Sequence, residues 1–421
     1  AAGRRARALA VNGGTPVRTR PFPSWPYQDE AERRGLVRAL ESGAWGGRIG
    51  RGDGEAARFE AEFAAHHDAP AALTVTNGTH ALQLALEVAG VGPGDEVLMP
   101  ALTPIPTANA ARQCGAVPVP VDVEPGTYCI DPEQLDAART GRTAAVIAVH
   151  LGGHVADMDR IGAWAAGAGL PVIQDAAHAH GTRWRGRGIG ALGSIATFSF
   201  MQTKVMTAGE GGALLLPDPA TFAEAFARHC LGRAPDASPA IFRTASSNYR
   251  LGEFAAAVLR AQLARLPGQI RHRELRRRRL DELLAPIAGI TPQARDPRCT
   301  VHSHYMTPLV LDPEPYGAVS RDGVVRALRA EGIPAYAMFP PIYRLPAFWD
   351  GPPPGADPDD GRTAGTEEEL AAACPVAERL AGRGIFLRHE VLLGDDRDID
   401  DIACAIGKVL GALGSERSSF T

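Results

Sequence analysis

Cysteine is scarce in this chain of 421 residues, and long apolar runs are missing from it. The six cysteines are scattered without a CxxC pair or a regular spacing, which is typical of reduced thiols in a cytosolic protein. No apolar stretch approaches the roughly 20 residues of a membrane span, and the apolar residues near the start are too few for a signal-peptide core. We therefore expect a cytoplasmic protein that is not inserted in a membrane.

An excess of charge of one sign is also missing. The 44 basic residues nearly offset the 48 acidic ones, which leaves a net charge of -4 and gives no reason to expect binding to nucleic acid or to an anionic membrane. The hydrophobic fraction of 45% and the charged fraction of 22% are those of an ordinary globular protein. At roughly 150 residues per domain, the length predicts two or three domains.

Between residues 70 and 217, short β-rich apolar runs alternate with helical stretches. This alternation predicts an α/β domain with a mostly parallel sheet of about seven strands. The expected strands are Ala72–Thr76, Glu96–Pro100, Val117–Val123, Ala144–His150, Pro171–Gln174, Ile195–Phe200 and Gly212–Leu216.

The character of the chain changes near residues 266–285, where six arginines lie among leucines in a long helical stretch. We interpret these arginines as a solvated helix face that joins two domains, with an anion-binding patch as the alternative. A strand over Val301–Val310 and two later helices then suggest a smaller α+β domain. The expected boundaries are 1–275 for the large domain with its N-terminal segment, 276–414 for the small domain and 415–421 for a flexible tail.

Two segments in the large domain carry candidate catalytic or ligand-binding residues. Asp175 follows an apolar strand, and ligands of open α/β sheets bind at the carboxyl ends of the strands. Lys204 follows a later strand and is bracketed by Phe198, Phe200 and Val205, which indicates partial burial. A desolvated lysine is a nucleophile suited to forming a Schiff base with an aldehyde.

A third segment runs from a strand through Asn77, Gly78 and Thr79 into a helix. The free backbone N–H groups and the dipole of such a helix start attract phosphate. The same residues could equally form an ordinary helix cap.

Together these segments resemble the DegT/DnrJ/EryC1/StrS family of aminotransferases that act on sugars and cyclitols. The resemblance covers nearly the whole chain and is most specific from Asp175 to Gly181 and around Lys204. The runs after Met206 and Phe386 resemble the inosose aminotransferase and aminohydroxybenzoate synthase branches more than the nucleotide-sugar branch. Other matching motifs begin at Asn12, Ser42, Phe59, Gly92, Ala156 and Asn248.

The resemblance implies the fold of a fold-type I aminotransferase and pyridoxal 5'-phosphate as the cofactor. Lys204 would form the Schiff base, and Asp175 would pair with the pyridine nitrogen. Around the cofactor, His178 would pack beside the ring, while Ser199 and the turn of Gly78 and Thr79 would bind the phosphate. Asn248 would reach the phosphate in a neighbouring subunit, which implies a homodimer with shared active sites. The resemblance also suggests substrate contacts at Gln202, Tyr336, Tyr343 and Arg344, which lie in segments that approach the site in relatives.

One position departs from the family pattern. Pro104 stands where the family usually has an aromatic residue that stacks on the cofactor ring. A proline can cover a ring only by apolar contact, and the neighbouring Pro106 stiffens the same loop. Another residue would therefore have to stack on the ring, or the cofactor would be held differently.

Two other patterns are weaker. The run from Gly188 to Gly193 matches GxGxxG, but it precedes a strand instead of linking a strand to a helix, so it does not predict dinucleotide binding. His302 and His304 would share one face of a strand, yet no histidine joins acids or cysteines at a metal-ligand spacing. We expect no metal site.

The leading hypothesis is transfer of an amino group from an L-amino acid, glutamine or glutamate, to a keto-sugar or keto-cyclitol in antibiotic or other secondary-metabolite biosynthesis. A second hypothesis keeps the cofactor but changes the reaction to dehydration and aromatisation, as in aminohydroxybenzoate synthase. A third, motivated by Pro104, is a non-catalytic scaffold partner. Family 3-dehydratases carry histidine in place of the Schiff-base lysine, so Lys204 argues against that variant.

Overall fold

The computed structural model describes residues 8–47, 53–235, 241–312, 314–315, 320–350 and 364–417. Its strands are β1 Ala71–Val75, β2 Glu96–Pro100, β3 Val117–Val121, β4 Thr143–Val149, β5 Val172–Asp175, β6 Arg183–Trp184, β7 Arg187–Gly188, β8 Ile195–Ser199, β9 Gly212–Leu216, β10 Ile290–Pro292, β11 Cys299–Val301, β12 Met306–Leu311, β13 Ala335–Ala337 and β14 Gly384–Arg388. Its helices are α1 Glu30–Glu41, α2 Glu55–His66, α3 Gly78–Val88, α4 Pro106–Gln113, α5 Leu135–Ala138, α6 Met158–Ala168, α7 Pro219–His229, α8 Glu253–Leu284, α9 Arg321–Ala330, α10 Glu367–Ala373, α11 Pro375–Arg383 and α12 Asp396–Arg417.

Seven strands form the central sheet in the order β1-β9-β8-β5-β4-β2-β3. The pairs from β8 through β5, β4 and β2 to β3 are parallel, while β9 runs antiparallel to both of its neighbours. Every residue of β2 and β9 is buried, and because successive side chains point to opposite faces, both faces of the sheet are covered. The expected α/β fold with a mostly parallel seven-stranded sheet is confirmed.

Strands β2, β4, β5 and β8 lie side by side, so their carboxyl ends lie along one edge of the sheet. Asp175 is the last residue of β5, and the segments that follow β8 and β1 carry Lys204 and the turn at Gly78. The fold thus gathers at one place three segments that are far apart in the sequence.

Helix α8 has 32 residues and connects the two halves of the molecule, and the boundary expected at residue 275 falls inside it. Its arginine run is only partly the solvated face that the sequence suggested, because Arg271 and Arg278 are exposed and others are not. Arg273 is fully buried and Arg277 nearly so. Arg276 and Arg279 pair with Asp396 and Asp400 of α12.

The C-terminal half contains an antiparallel sheet in the order β10-β12-β14-β13. Helices α9 and α12 contribute to a second apolar core, which also includes Leu9 from the N-terminal segment. Helix α12 extends to Arg417, past the tail expected from residue 415, and residues 418–421 lie outside the described part.

The strand expected over Val301–Val310 is wrong as a continuous element. Strand β11 ends at Val301 and pairs with β6, and β12 begins at Met306 and pairs with β10 and β14. His304 has a φ of 53° in the segment between them, a left-handed conformation that a strand cannot contain. The break allows residues 302–305 to turn toward the large domain.

All six cysteines are free. Across the described ranges, none of the helices has the length and apolar character needed to cross a membrane. In that same part of the chain, no group of three or more histidines, cysteines and carboxylates is arranged to hold a metal ion.

Candidate active site

A cavity of about 790 Å³ lies at the carboxyl ends of β5 and β8. It receives residues from both halves of the chain. From the large domain come the turn before α3, the start of α4 and the segments after β5 and β8. From the C-terminal half come residues at the start of β12, in and after β13, and in β14. The chemically important members of the lining are Gly78, Thr79, Pro104, Thr107, Asp175, His178, Ser199, Lys204, Glu210, Tyr305, Tyr336 and Arg388.

Lys204 lies in the turn between β8 and β9 and is buried, as its apolar neighbours predicted. Its Nζ lies 4.5 Å from the centroid of the Tyr305 ring. Within the described residues, this amine has no hydrogen-bond acceptor and no ion-pair partner. A buried amine that faces a cavity in this way is available to react with a bound carbonyl compound.

Asp175 is the last residue of β5 and is buried beside the cavity. Its Oδ1 accepts a hydrogen bond from the N–H of Ala177 at 3.1 Å, and its Oδ2 accepts one from the Thr107 hydroxyl at 3.2 Å. Burial raises the pKa of Asp175, although the Ala177 N–H and the charge of Lys204 act in the opposite direction. A cation placed in the cavity against this carboxylate would offset the cost of burying its charge.

The Thr103–Thr107 segment supports Asp175 from the side. The hydroxyls of Thr103 and Thr107 are 2.9 Å apart, and Thr107 donates onward to Asp175. Pro106 occupies the first position of α4, where its missing N–H costs no helical hydrogen bond. Pro104 lines the cavity, so no aromatic ring is present at this position.

The start of α3 forms a phosphate-sized cradle. Asn77 caps the helix by accepting the N–H of His80 at 2.8 Å, and the preceding N–H groups of Gly78 and Thr79 have no partner within the helix. Ser199 at the end of β8 lies directly against this turn. A Cβ on Gly78 would come within 2.6 Å of the Ser199 Cβ, so only glycine permits this approach.

His178 and Tyr305 form a stacked pair, with ring centroids 4.2 Å apart and an interplanar angle of 27°. The Nδ1 of His178 accepts the N–H of Gly152 at 3.3 Å, and burial keeps the pKa of His178 well below its usual range. The hydroxyl of Tyr305 lies 3.2 Å from that of Thr203. Sequence reasoning missed Tyr305, because the expected continuous strand gave no reason to place it in the cavity.

The four residues expected to contact the substrate lie in different places. Tyr336 lines the cavity and stacks on Phe386. Gln202 is exposed outside it. The other two also lie outside the cavity: the hydroxyl of Tyr343 donates to Glu378 at 3.0 Å, and Arg344 pairs with Glu367 and Glu378.

Asn248 is exposed and also lies outside the cavity lining. It forms an antiparallel bridge with Cys230, and its side chain accepts the N–H of Arg250 at 3.3 Å. The structure therefore does not bring Asn248 to the Lys204 site of its own chain.

A family model described as the DegT/DnrJ/EryC1/StrS aminotransferase family matches residues 26–407. The chain belongs to this aminotransferase family. The family resemblance expected from the sequence is confirmed, and with it the assignment as an aminotransferase.

Individual members of the family are similar over almost the full length. The chain is 49% identical to the 3-amino-5-hydroxybenzoate synthase of Amycolatopsis mediterranei (strain S699) over 380 residues, which covers 90% of this chain and 94% of that protein. It is 38% identical to the L-glutamine:2-deoxy-scyllo-inosose aminotransferase of Micromonospora echinospora over 416 residues, with coverages of 95% and 97%.

Solved structures of the family agree with the fold. The crystal structure of 3-amino-5-hydroxybenzoic acid synthase superposes with a TM-score of 0.86 at 46% identity and covers 94% of this chain and 100% of that chain. The aminotransferase from Psychrobacter cryohalolentis gives a TM-score of 0.82 at 28% identity, with coverages of 93% and 100%. The cavity therefore lies in an aminotransferase framework.

Proposed function

We propose that this aminotransferase holds pyridoxal 5'-phosphate in the cavity and moves an amino group from an L-amino acid, glutamine or glutamate, to a keto-sugar or keto-cyclitol in antibiotic or other secondary-metabolite biosynthesis. The observation that carries the proposal is the convergence of Lys204 and Asp175 on one cavity. A buried amine, a buried carboxylate and an open helix start are the three groups that an aldehyde, a protonated pyridine and a phosphate require.

When bound, pyridoxal phosphate supplies an aldehyde that takes up the amino group and a ring that accepts electrons from the substrate. Asp175 holds the proton on the pyridine nitrogen, and its hydrogen bonds from Thr107 and Ala177 fix its orientation. Gly78, Thr79 and Ser199 bind the phosphate. His178 and its stacked partner Tyr305 form the wall beside the ring.

Lys204 has two roles in this proposal. Its Nζ would hold the cofactor through the aldehyde, and it would be freed when the amino donor takes that place. The freed amine would then be placed to accept the proton from the substrate Cα and to act as the general acid-base of the site. Burial against Tyr305 keeps water away from the amine during this transfer.

A second reaction is favoured by one observation. The 49% identity to a 3-amino-5-hydroxybenzoate synthase exceeds the 38% identity to the scyllo-inosose aminotransferase. Dehydration and aromatisation of a six-membered ring is therefore the alternative to amino transfer. Product analysis separates the two, because aromatisation yields an aromatic amine without consuming an amino donor.

We also propose a cytoplasmic homodimer with shared active sites. Six free cysteines are typical of a reducing compartment. Asn248 is exposed and outside its own cavity, so a phosphate that it binds would belong to a partner subunit. The exposed Leu231, Ile241 and Phe242 lie in the same segment and offer apolar area for such a contact.

The chain offers a sharp test, because it contains only two lysines, Lys204 and Lys408. Borohydride reduction of protein incubated with pyridoxal phosphate, followed by peptide mass analysis, should place the cofactor mass on Lys204 alone. Lys408→Arg should keep the label and Lys204→Arg should lose it. If L-glutamine is added before the borohydride, the absorbance of the lysine-bound cofactor should disappear. A wild-type protein with no bound cofactor, or with label on Lys408, would refute the proposal.

A further inference from the structure

Arg388 is the last residue of β14, and it lines the cavity opposite the large-domain residues that would hold the cofactor. Among the described residues that line the cavity, Lys204 is the one lysine and Arg388 is the one arginine. The side chain of Arg388 retains 34% of its exposure, and Arg388 lines both the cavity and an outer groove of about 490 Å³. It is thus available to a ligand, whereas Lys204 is committed to the cofactor in the proposed function.

The orientation of Arg388 is fixed by its neighbours. Its Nε donates to the Glu390 Oε1 at 2.6 Å, and its Nη2 contacts the same oxygen. The guanidinium carbon lies 5.5 Å from the centroid of the Tyr336 ring, which itself stacks on Phe386. An arginine has five N–H donors, so one edge held by Glu390 leaves other donors for a planar anion.

The substrates of such a reaction carry the matching group. An L-amino acid donor has an α-carboxylate, and a ring of the aminohydroxybenzoate class has a carboxylate on the ring. Guanidinium and carboxylate form paired, charge-assisted hydrogen bonds that give both affinity and orientation. We infer that Arg388, positioned by Glu390, is the subsite that binds the carboxylate of the substrate, an inference that rests on the proposed function.

A matched control lies next to this site. The guanidinium carbon of Arg329 lies 5.1 Å from the centroid of the same Tyr336 ring, but Arg329 lines an outer groove of about 490 Å³ and not the main cavity. Its Nε donates to the carbonyl of Ala335 at 2.8 Å. Arg329→Gln therefore removes an arginine from Tyr336 without removing a cation from the cavity.

The first arm of the test uses the amino donor. The rate at which the cofactor absorbance changes is measured against the concentration of L-glutamine and of L-glutaminol, in which a hydroxymethyl group replaces the carboxylate. If the α-carboxylate is the ligand, Arg388→Gln raises the half-saturating concentration of L-glutamine at least tenfold and leaves that of L-glutaminol unchanged. Arg329→Gln leaves both unchanged.

The second arm uses the ring. Binding of 3-amino-5-hydroxybenzoate and of 3-aminophenol, which lacks the carboxylate, is measured by competition. If the ring carboxylate is the ligand, Arg388→Gln weakens the first at least tenfold and leaves the second unchanged. Arg388→Lys retains the charge but loses the paired geometry, and Glu390→Gln loosens the positioning, so each should weaken carboxylate binding less than Arg388→Gln does.

The possible failures are distinguishable. Carboxylate selectivity in either arm that depends on Arg388 supports the inference. The inference is overturned if wild type and Arg388→Gln prefer the carboxylate-bearing ligand equally in both arms. It is also overturned if Arg329→Gln loses as much of that preference as Arg388→Gln does. A wild-type protein that binds no cofactor instead contradicts the proposed function itself, and unchanged cofactor absorbance in Arg388→Gln shows that the variant has folded.

Discussion

At the scale of the residue, the two lysines show how surroundings decide a role. The Nζ of Lys408 is paired with Glu331 at 2.9 Å and with the carbonyl of Thr15 at 2.8 Å, so its charge is balanced and its position is fixed. Among the described residues, the Nζ of Lys204 has no hydrogen-bond or ion-pair partner, and it lies over the face of the Tyr305 ring. The first lysine ties the N-terminal segment to α12, and the second remains available for chemistry.

Pro104 is the residue at which this chain departs from its family, and it lines the cavity. We expect Pro104→Phe to lower the dissociation constant for pyridoxal phosphate by about two- to tenfold, because stacking of aromatic rings contributes about 0.5–1.5 kcal/mol beyond area burial. The measurement is a titration of cofactor absorbance. Pro106→Ala, at the start of α4, serves as the control and should leave the constant unchanged. Weaker binding in Pro104→Phe would show that the cavity has no room for the ring.

At the scale of the element, the turn before α3 depends on one close approach. Gly78→Ala places a Cβ 2.6 Å from that of Ser199, so either the turn or the end of β8 must shift. We expect the affinity for pyridoxal phosphate to fall at least tenfold, as measured by equilibrium titration. Gly92→Ala is the matched control, because a Cβ there meets nothing within 4 Å. Equal affinities in the two variants would contradict the phosphate role of this turn.

A second element is anchored from far away in the sequence. Asp122, just after β3, accepts the N–H groups of Val376 and Ala377 at 3.0 and 2.9 Å and so caps the first turn of α11. The cap joins the large domain to a helix of the C-terminal half. It also uses the stabilising interaction between a carboxylate and the positive end of a helix.

We expect Asp122→Ala to lower the free energy of unfolding by about 2 kcal/mol, the upper range for loss of a cap, because the carboxylate is buried and binds two donors. Asp218→Ala removes a local cap that binds the N–H of Thr221 at 2.8 Å outside the buried core, and it should cost less than Asp122→Ala. Urea unfolding followed by circular dichroism provides both values. If Asp122→Ala lowers the free energy of unfolding no more than Asp218→Ala does, the buried cap on α11 adds nothing beyond an ordinary cap.

At the scale of the whole molecule, several buried histidines hold the backbone in place while they are neutral, some of them across segments far apart in the sequence. One ring nitrogen of each accepts a backbone N–H, and protonation of that nitrogen would break the bond and bury a charge. The pairs are His67 with Gly181, His150 with Ala156, His154 with Asp296, His178 with Gly152 and His302 with His304. Burial lowers the pKa of His150 and that of His154 to about 4, from a usual value of 6.5.

These pKa values predict acid lability. Below pH 6.5 the unfolded chain binds more protons than the folded chain, so stability is full above that pH and is lost as the pH falls toward 4. His150 alone should contribute on the order of 3 kcal/mol to this loss. Carboxylates such as Glu32, with a pKa lowered to about 2 from 4.5, act only in a more acidic range. Urea midpoints that stay constant from pH 7 to 4.5 would contradict the prediction.

Local patterns in the sequence were enough for much of the fold. The strands of the large sheet follow from short β-rich runs, and the largest displacement of an expected end is at β3, which stops at Val121 instead of Val123. Asp175, Lys204 and the turn at Gly78 could be found because a parallel sheet forces strand ends to one edge. Family resemblance then supplied the roles expected of them.

Only the tertiary structure decided the rest, because it depends on contacts between segments far apart in the chain. The break before Met306 places Tyr305 on His178, and no local pattern marks a left-handed residue at His304. The burial of Arg273 and the accessibility of Arg388 likewise depend on which elements pack around them. The sequence by itself determined the sheet and the lysine and acid at its edge, whereas packing of the two halves determined which further side chains face that lysine.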